Sequence, residues 1–460
     1  MACGAREKYP RLAGSVPTSG TRSERAQVAS VATRKPPASP GHRWGKRLRA
    51  SFRQETVIRM RSTQKGAGEM NPIPSQEEIR RGDTTDVYFV RTREVLKSLG
   101  KDAVRVKAEV FVKRFPDGYE HAILAGRDEM LSLLEGRNVD VLAMEEGALF
   151  LLEEPVLAVE GPYGEFCEME TAMLGILCQA SGVATKTSRI KRLAGDRTVL
   201  SFGARRMHPA LSTLIDRHAF VGGADGVSVV RSASFLGETP QGTMPHALIL
   251  VLGDTVEALR GFDGAVAADV PRVCLIDTLQ DEKFEAIRAA EALGKSLAAV
   301  RLDTPSSRRG NFRKIVREVR WELDLRGFSH VRILVSGGLG EEDIASLRDV
   351  VDGFGVGTCI SNAPTIDFAL DIVEVEGRPF AKRGKLSGGK QVVRCRSCGH
   401  RCVVPEAKAA APCRCGSPAE PLLFPAMKGG NVVAPPLSPR ELRSRVMEQV
   451  AQFHERREGR

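Results

Sequence analysis

Between Val199 and Thr358, arginines, aspartates and glycines recur where short apolar runs end. "VLSFGARR" closes on Arg205 and Arg206, "VCLIDT" on Asp277, and "AVRLDT" carries Arg301 before ending at Asp303. "ILVSGGLGEED" turns at Ser336, Gly337 and Gly338, and "DGFGVGT" at Gly355, Gly357 and Thr358. A guanidinium fork matches a phosphate or carboxylate. Carboxylates suit hydroxyls or a divalent cation. Backbone amides of a glycine turn leading into a helix can cradle a phosphate. Arginines, acids and two anion-holding turns in one chain point to a sugar phosphate or a nucleotide. His246, in "GETPQGTMPHALIL", sits at what reads as the start of a strand. Residue type alone does not separate a reactive imidazole there from a structural one. His208 precedes Pro209 and reads as a helix N-terminal residue rather than a base.

A second chemistry is written in "CRSCGHRCVVPEAKAAAPCRCGS". Five of the ten cysteines fall between Cys395 and Cys415. Cys395 and Cys398, with Cys413 and Cys415, have the pattern of two short turns closing a tetrahedral zinc site. The second pair is one residue tighter than the usual spacing, which leaves Cys402 or His400 as alternative ligands. Such a site would be structural, with no open position. Cys167, Cys178, Cys274 and Cys359 stand among apolar neighbours and read as buried thiols. This usage fits a reducing compartment and a cytoplasmic protein.

The elements that must position the rim residues follow from the apolar pattern. Runs at "TVLSFGAR", "HAFVGGAD", "MPHALILVLG", "RVCLIDT", "LAAVRLDT", "VRILVSGG" and "VDGFGVGT" alternate with helical stretches. Continuous apolar runs of this kind are the signature of buried parallel strands, and the alternation argues βα units. Seven strands, eight with one near Val156, fit a closed βα barrel better than an open sheet. In such a barrel the chemistry sits at the C-terminal strand ends, so Arg205, Asp225, Asp277, Asp303, Gly337, Gly338 and Gly357 are expected around one rim. The expected organisation is an N-terminal α+β segment over residues 70–164, the βα barrel over 165–370, a C-terminal segment with the cysteine module over 371–440, and a charged helix over 441–460. The N-terminal and C-terminal segments are expected to share the α+β domain.

Charge narrows the function classes. The formal net charge of +11 resides in Met1–Met70, which holds 15 Lys/Arg against 4 Asp/Glu and leaves 53 of each sign elsewhere. A neutral remainder with 4 Tyr and 2 Trp argues against specific nucleic-acid binding. Residues 1–69, rich in Arg, Ser and Pro, have three readings: a start assigned too far upstream, a disordered basic arm, or an organelle-targeting peptide. No apolar run reaches the length of a bilayer span. The Gly-x-x-x-x-Gly-Lys-[Ser/Thr] motif of P-loop kinases is absent. So is an Asp/Glu-Asp-x-x-x-Thr-Gly phosphate loop.

These motifs, in order from about Pro72 to Gly430, resemble the nicotinate phosphoribosyltransferase family, which is related to nicotinamide phosphoribosyltransferase. "TTDVYF" is similar to the family's N-terminal motif, and the resemblance implies that Tyr88 reaches the partner subunit's site and stacks on the pyridine ring. "SFGARR" implies Phe202 on the other face and Arg205 beside the ligand. "GGADGV" implies Asp225 near the pyridine. "GTMPH" implies that His246 is phosphorylated by ATP during turnover. "CLIDT" and "VRLDT" imply Asp277, Arg301 and Asp303 at the ribose and pyrophosphate. The two glycine turns resemble the family's phosphate loops. The implied reaction joins nicotinate to 5-phosphoribosyl 1-diphosphate with Mg²⁺, giving nicotinate mononucleotide and pyrophosphate, in a homodimer or larger homo-oligomer with shared sites. Asp225 could accept from an amide and so favours nicotinamide. Arg206 could compensate a carboxylate, and the "ARR" doublet and C-terminal cysteines look more like the nicotinate branch. Quinolinate phosphoribosyltransferase shares the architecture but would need a denser basic pocket for two carboxylates. From another class, a basic arm with a zinc ribbon and a degenerate barrel would describe a nucleic-acid-binding protein.

Overall fold

Residues 72–433 and 436–458 are described by the computed structural model. The basic segment 1–69 and its three readings lie outside them. Two sheets carry most of the chain. The first has seven strands, all antiparallel, in the order Arg378–Pro379, Phe368–Val375, Arg105–Val112, Pro155–Pro162, Asp140–Ala143, Phe424–Lys428 and Asn431–Val432. It interleaves strands from both ends of the described chain.

The second sheet has six parallel strands, in the order Gly226–Val227, Thr198–Ser201, Gly353–Val356, Arg332–Ser336, Leu297–Leu302 and Arg272–Leu275. Arg272–Leu275 and Gly226–Val227 are its free edges, so it is an open half-barrel and not the closed barrel expected. The missing strands are identifiable. His218–Val221 ends a helix, Ser212–Val221. "HALILVL" is itself the helix His246–Leu252, with Pro245 before it and Gly253 stopping it at φ 81°. A short apolar run cannot be told from a buried helical segment by periodicity. In the second case only one face is covered: Ile249 is buried whereas Val251 is 82% exposed. The strand expected near Val156 exists but belongs to the antiparallel sheet.

Helix Glu170–Ala194 ties the two sheets together. Its first half buries Met173 and Leu177 against the antiparallel sheet, and its second half buries Val183, Ile190 and Ala194 in the half-barrel core. Each such side chain contributes about 1.5–3 kcal/mol on full burial. Between the two apolar stretches, Ser181 and Thr185 accept from the backbone amides of Ala125 and Ile123 at 3.0 and 2.9 Å, so the polar positions are satisfied. The C-terminal helix Pro439–Glu458 lays Leu442, Val446 and Val450, four residues apart, into a third apolar cluster. A three-stranded sheet, Arg401–Pro405, Lys390–Cys395 and Ala419–Pro421, carries the cysteines. Among the described residues no helix is long and apolar enough to cross a membrane.

Candidate active site

The C-terminal ends of the parallel strands open into a cavity of about 440 Å³. Its lining includes Phe202, Arg205, Arg206, His246, Arg301, Asp303, Ser336, Gly337, Gly338, Gly355, Gly357 and Thr358. Four separate strand ends supply these groups, except His246, which comes from the start of helix His246–Leu252.

On one side, the turn Ala204–Arg206 follows strand Thr198–Ser201 and presents two arginines. Both are solvent-exposed, and neither forms an ion pair among the described residues, so both guanidinium groups are available to a ligand. Phe202 lies on the backbone of the neighbouring strand: a Cβ at Gly355 would meet its ring at 2.6 Å. Only glycine there leaves room for the ring.

On the other side is a network of acids. Asp277 Oδ2 accepts from the backbone N–H of Asp303 at 2.6 Å and from the Thr304 hydroxyl at 3.1 Å. Its Oδ1 is buried without a hydrogen-bond partner. Burial pushes this carboxyl above the usual range, while the Asp303 amide and His246 pull the other way. Asp303 Oδ1 accepts from the Ser336 hydroxyl at 2.8 Å, and its Oδ2 lies 3.6 Å from Arg301 Nη1. Arg301 donates to Ser336 Oγ at 2.9 Å, but its Nε is buried and unpartnered. Burial lowers its pKa, opposed by Asp303 and Asp277, and a guanidinium stays charged regardless. His246 is the first residue of its helix, not the start of a strand. Its Nδ1 shares a hydrogen bond with Thr278 Oγ1 at 2.9 Å. Its Nε2 faces Asp303 Oδ2 at 3.7 Å and Asp277 Oδ1 at 3.9 Å.

The phosphate-loop candidate Ser336–Gly340 turns through two left-handed glycines, Gly337 at φ 89° and Gly338 at φ 64°. A Cβ on Gly337 would also meet Asp303 Oδ1 at 2.8 Å. Arg309 holds this turn by donating to the carbonyls of Ser336 and Gly337. Arg309, Thr278, Ser228 and Thr243 are at or beside the cavity and were not singled out by sequence. Thr243 and Thr278 stand inside quoted motifs, where attention to hydroxyls would have found them. Nothing local marks Arg309.

Two expected site residues lie elsewhere. Asp225 is at the opposite end of the sheet. Its backbone N–H bonds the Val199 carbonyl at 2.7 Å, its Oδ2 accepts from Val199 N and Lys191 Nζ, both at 2.8 Å, and Arg443 pairs with Oδ1. Because the preceding run is helix, Asp225 comes before strand Gly226–Val227 rather than after it, and Ser228 takes the rim position. Tyr88 is 55% exposed on helix Val87–Ser98 and does not line the cavity of its own chain. His208 caps the turn Pro209–Leu211, its Nδ1 accepting from Ala210 N. The thiols of Cys395, Cys398, Cys413 and Cys415 lie within 4.8 Å of one another, which excludes Cys402 and His400 from the group of four. This cluster does not line the cavity.

Family models for quinolinate phosphoribosyl transferase match the chain, the N-terminal domain over residues 86–181 and the C-terminal domain over 183–371. The chain is 32% identical over 346 residues to nicotinate phosphoribosyltransferase pncB2 of Mycobacterium tuberculosis, covering 67% of this chain and 73% of that protein. It is 28% identical over 330 residues to nicotinate phosphoribosyltransferase of Bacillus subtilis, covering 64% and 66%. Among solved structures, nicotinate-nucleotide pyrophosphorylase from Pyrococcus furiosus superposes with a TM-score of 0.82 and 52% identity, over 84% of this chain and 99% of that one. Human nicotinic acid phosphoribosyltransferase shares the fold, with a TM-score of 0.65 at 20% identity, over 80% and 93%.

Proposed function

The chain belongs to the nicotinate phosphoribosyltransferase family, and from that premise we propose that its rim cavity joins nicotinate to 5-phosphoribosyl 1-diphosphate, forming nicotinate mononucleotide and releasing pyrophosphate. One observation carries the reading: two arginines with no ion-pair partner among the described residues, beside an aromatic ring, face the hydrogen-bonded Asp303–Ser336–Arg301 network and a glycine turn across one cavity. The first group suits a flat aromatic carboxylate, the second a phosphorylated sugar.

The pyridine nitrogen carries a lone pair and no proton, so it attacks C1 without a base. C1 passes through an oxocarbenium-like state as its bond to pyrophosphate breaks. Catalysis is then positioning and charge stabilisation. Phe202 offers a stacking face for the ring, Arg206 a bidentate partner for the carboxylate, and Arg205 and Arg301 stabilise phosphate oxygens. The turns at Ser336–Gly338 and Gly355–Thr358 hold the 5-phosphate. Asp277 and Asp303 fit a magnesium ion: a buried, unpartnered carboxylate oxygen on one and a cavity-facing oxygen on the other are the hard donors it takes. Bound there, magnesium would neutralise pyrophosphate charge. His246 fits as the acceptor of the ATP γ-phosphoryl group, with Thr278 orienting its ring and the two aspartates facing Nε2. Transfer forms an N–P bond and releases ADP, and later hydrolysis regenerates the imidazole.

Tyr88 serves a partner's site in a homodimer or larger assembly, which accounts for its exposure. The four cysteines hold a structural zinc, and the enzyme works in the cytoplasm. The test is which pyridine the purified protein converts. Mononucleotide from nicotinate sustains the reading; turnover confined to nicotinamide or quinolinate refutes it.

A further inference from the structure

A second cavity, of about 250 Å³, shares no lining residue with the first. Glu120 and His121 line it just before the short strand Ala122–Ile123. Arg189 and Arg192 come from the last turns of helix Glu170–Ala194, Glu341 from the start of helix Glu341–Leu347, and His454 from the C-terminal helix.

His121 is the anomaly. It is 4% exposed, and neither ring nitrogen has a hydrogen-bond partner. Its ring packs on Phe453 and His454, with centroids 4.7 and 5.4 Å apart, contacts that satisfy neither nitrogen. A buried polar side chain left unsatisfied in this way calls for a partner. The two carboxylates that line the cavity are already taken. Glu341 accepts from Arg189 through both oxygens, at 3.0 and 2.7 Å, and from Lys186 at 2.7 Å. Glu120 pairs with Arg457 at 2.8 Å. Arg192 forms no ion pair among the described residues. The surplus is therefore of proton donors. Burial above all, and then the neighbouring His454, Arg189, Arg192 and Arg457, pushes the His121 ring down to about 3.

We propose that this cavity binds the phosphate group of a small metabolite, held by Arg192, His121 and His454. Guanidinium and imidazole N–H groups bonded to phosphate would satisfy the orphaned ring. The location gives binding a consequence. Glu341 begins the helix that follows the turn Ser336–Gly340 of the first cavity, and Arg189 anchors it. A phosphate competing for Arg189 would loosen that turn.

Histidine-selective ¹⁵N NMR on the full chain, titrated with inorganic phosphate, tests this. Signals are assigned with His121→Asn, His454→Asn and His246→Asn. The expected result is saturable movement of both the His121 and the His454 ring signals, weakened at least about tenfold in Arg192→Ala, an exposed position that leaves folding intact. Static His121 and His454 signals while His246 responds, or an Arg192→Ala protein that responds like wild type, would overturn the site. The His246 signal reports on the first cavity separately, so phosphate binding here stands or falls independently of the proposed reaction.

Discussion

His246 Nε2 and Asp277 Oδ1 face each other at 3.9 Å, and that carboxylate oxygen is buried with no hydrogen-bond partner. The distance is too long for a direct hydrogen bond but short enough for the aspartate to stabilise positive charge that develops on the imidazole ring. If His246 carries the phosphoryl group, His246→Ala abolishes ATP stimulation and leaves residual nucleotide formation. Asp277→Asn, which keeps shape and loses charge, lowers kcat by at least about tenfold. Rates measured with and without ATP decide the matter: ATP dependence like wild type in His246→Ala contradicts the assignment.

Arg206 has no ion-pair partner among the described residues, so removing it strands no carboxylate of the protein. Arg206→Ala is expected to raise the KM for nicotinate by about 10- to 100-fold, the worth of one hydrogen bond to a charged group. Thermal stability should be unchanged. An unchanged KM would move carboxylate recognition to Arg205.

Gly355 leaves no room for a side chain beneath Phe202. Gly355→Ala is expected to cost about 1–3 kcal/mol of stability through overpacking and to weaken nicotinate binding by tilting the ring. Phe202→Leu should weaken binding without the stability loss. Denaturant melts and KM values for both variants separate the two effects.

Glu170, at the start of the long helix, has its carboxyl pushed up to about 7 by burial first and by the Asp371 carboxylate second. A raised folded-state pKa means the folded chain holds this proton more tightly than the unfolded chain. The associated stability is present below the unfolded value near 4.5 and is lost as pH rises through about 7. Glu170→Gln should therefore melt at a higher temperature than wild type at pH 8 and gain less at pH 5. A gain independent of pH would show that Glu170 is ionised throughout.

Sequence reading reached furthest where local chemistry and local structure coincide. Arg205, Asp277, Asp303 and the two glycine turns follow genuine strands; Arg205, Asp303 and both turns line the cavity, and Asp277 accepts from the backbone N–H of Asp303 beside it. The cysteine cluster was legible from spacing, down to the tight Cys413–Cys415 pair. The failures share a cause. Apolar runs at His218–Val221 and His246–Leu252 carry no periodicity that separates strand from buried helix, and reading the first as a strand put Asp225 on the wrong end of the sheet. Asp225 is fixed by Val199 N, by Lys191 and by Arg443, the last 218 residues further along the chain, and no local pattern announces such a partner. Arg309 was missed likewise, because its role depends on the carbonyls of a turn on another strand. Tyr88 stays exposed in its own chain, and its assignment rests on the resemblance.

The central claim is that the rim cavity selects nicotinate as the acceptor of the phosphoribosyl group. The most direct measurement offers purified protein equimolar nicotinate, nicotinamide and quinolinate in one vessel, with 5-phosphoribosyl 1-diphosphate, Mg²⁺ and ATP, and follows consumption of each pyridine by mass spectrometry. The account predicts that nicotinate is consumed at least about 100-fold faster than either competitor, with nicotinate mononucleotide and pyrophosphate appearing in equal amounts. Preferential consumption of nicotinamide or quinolinate, or of none by folded protein, would contradict it.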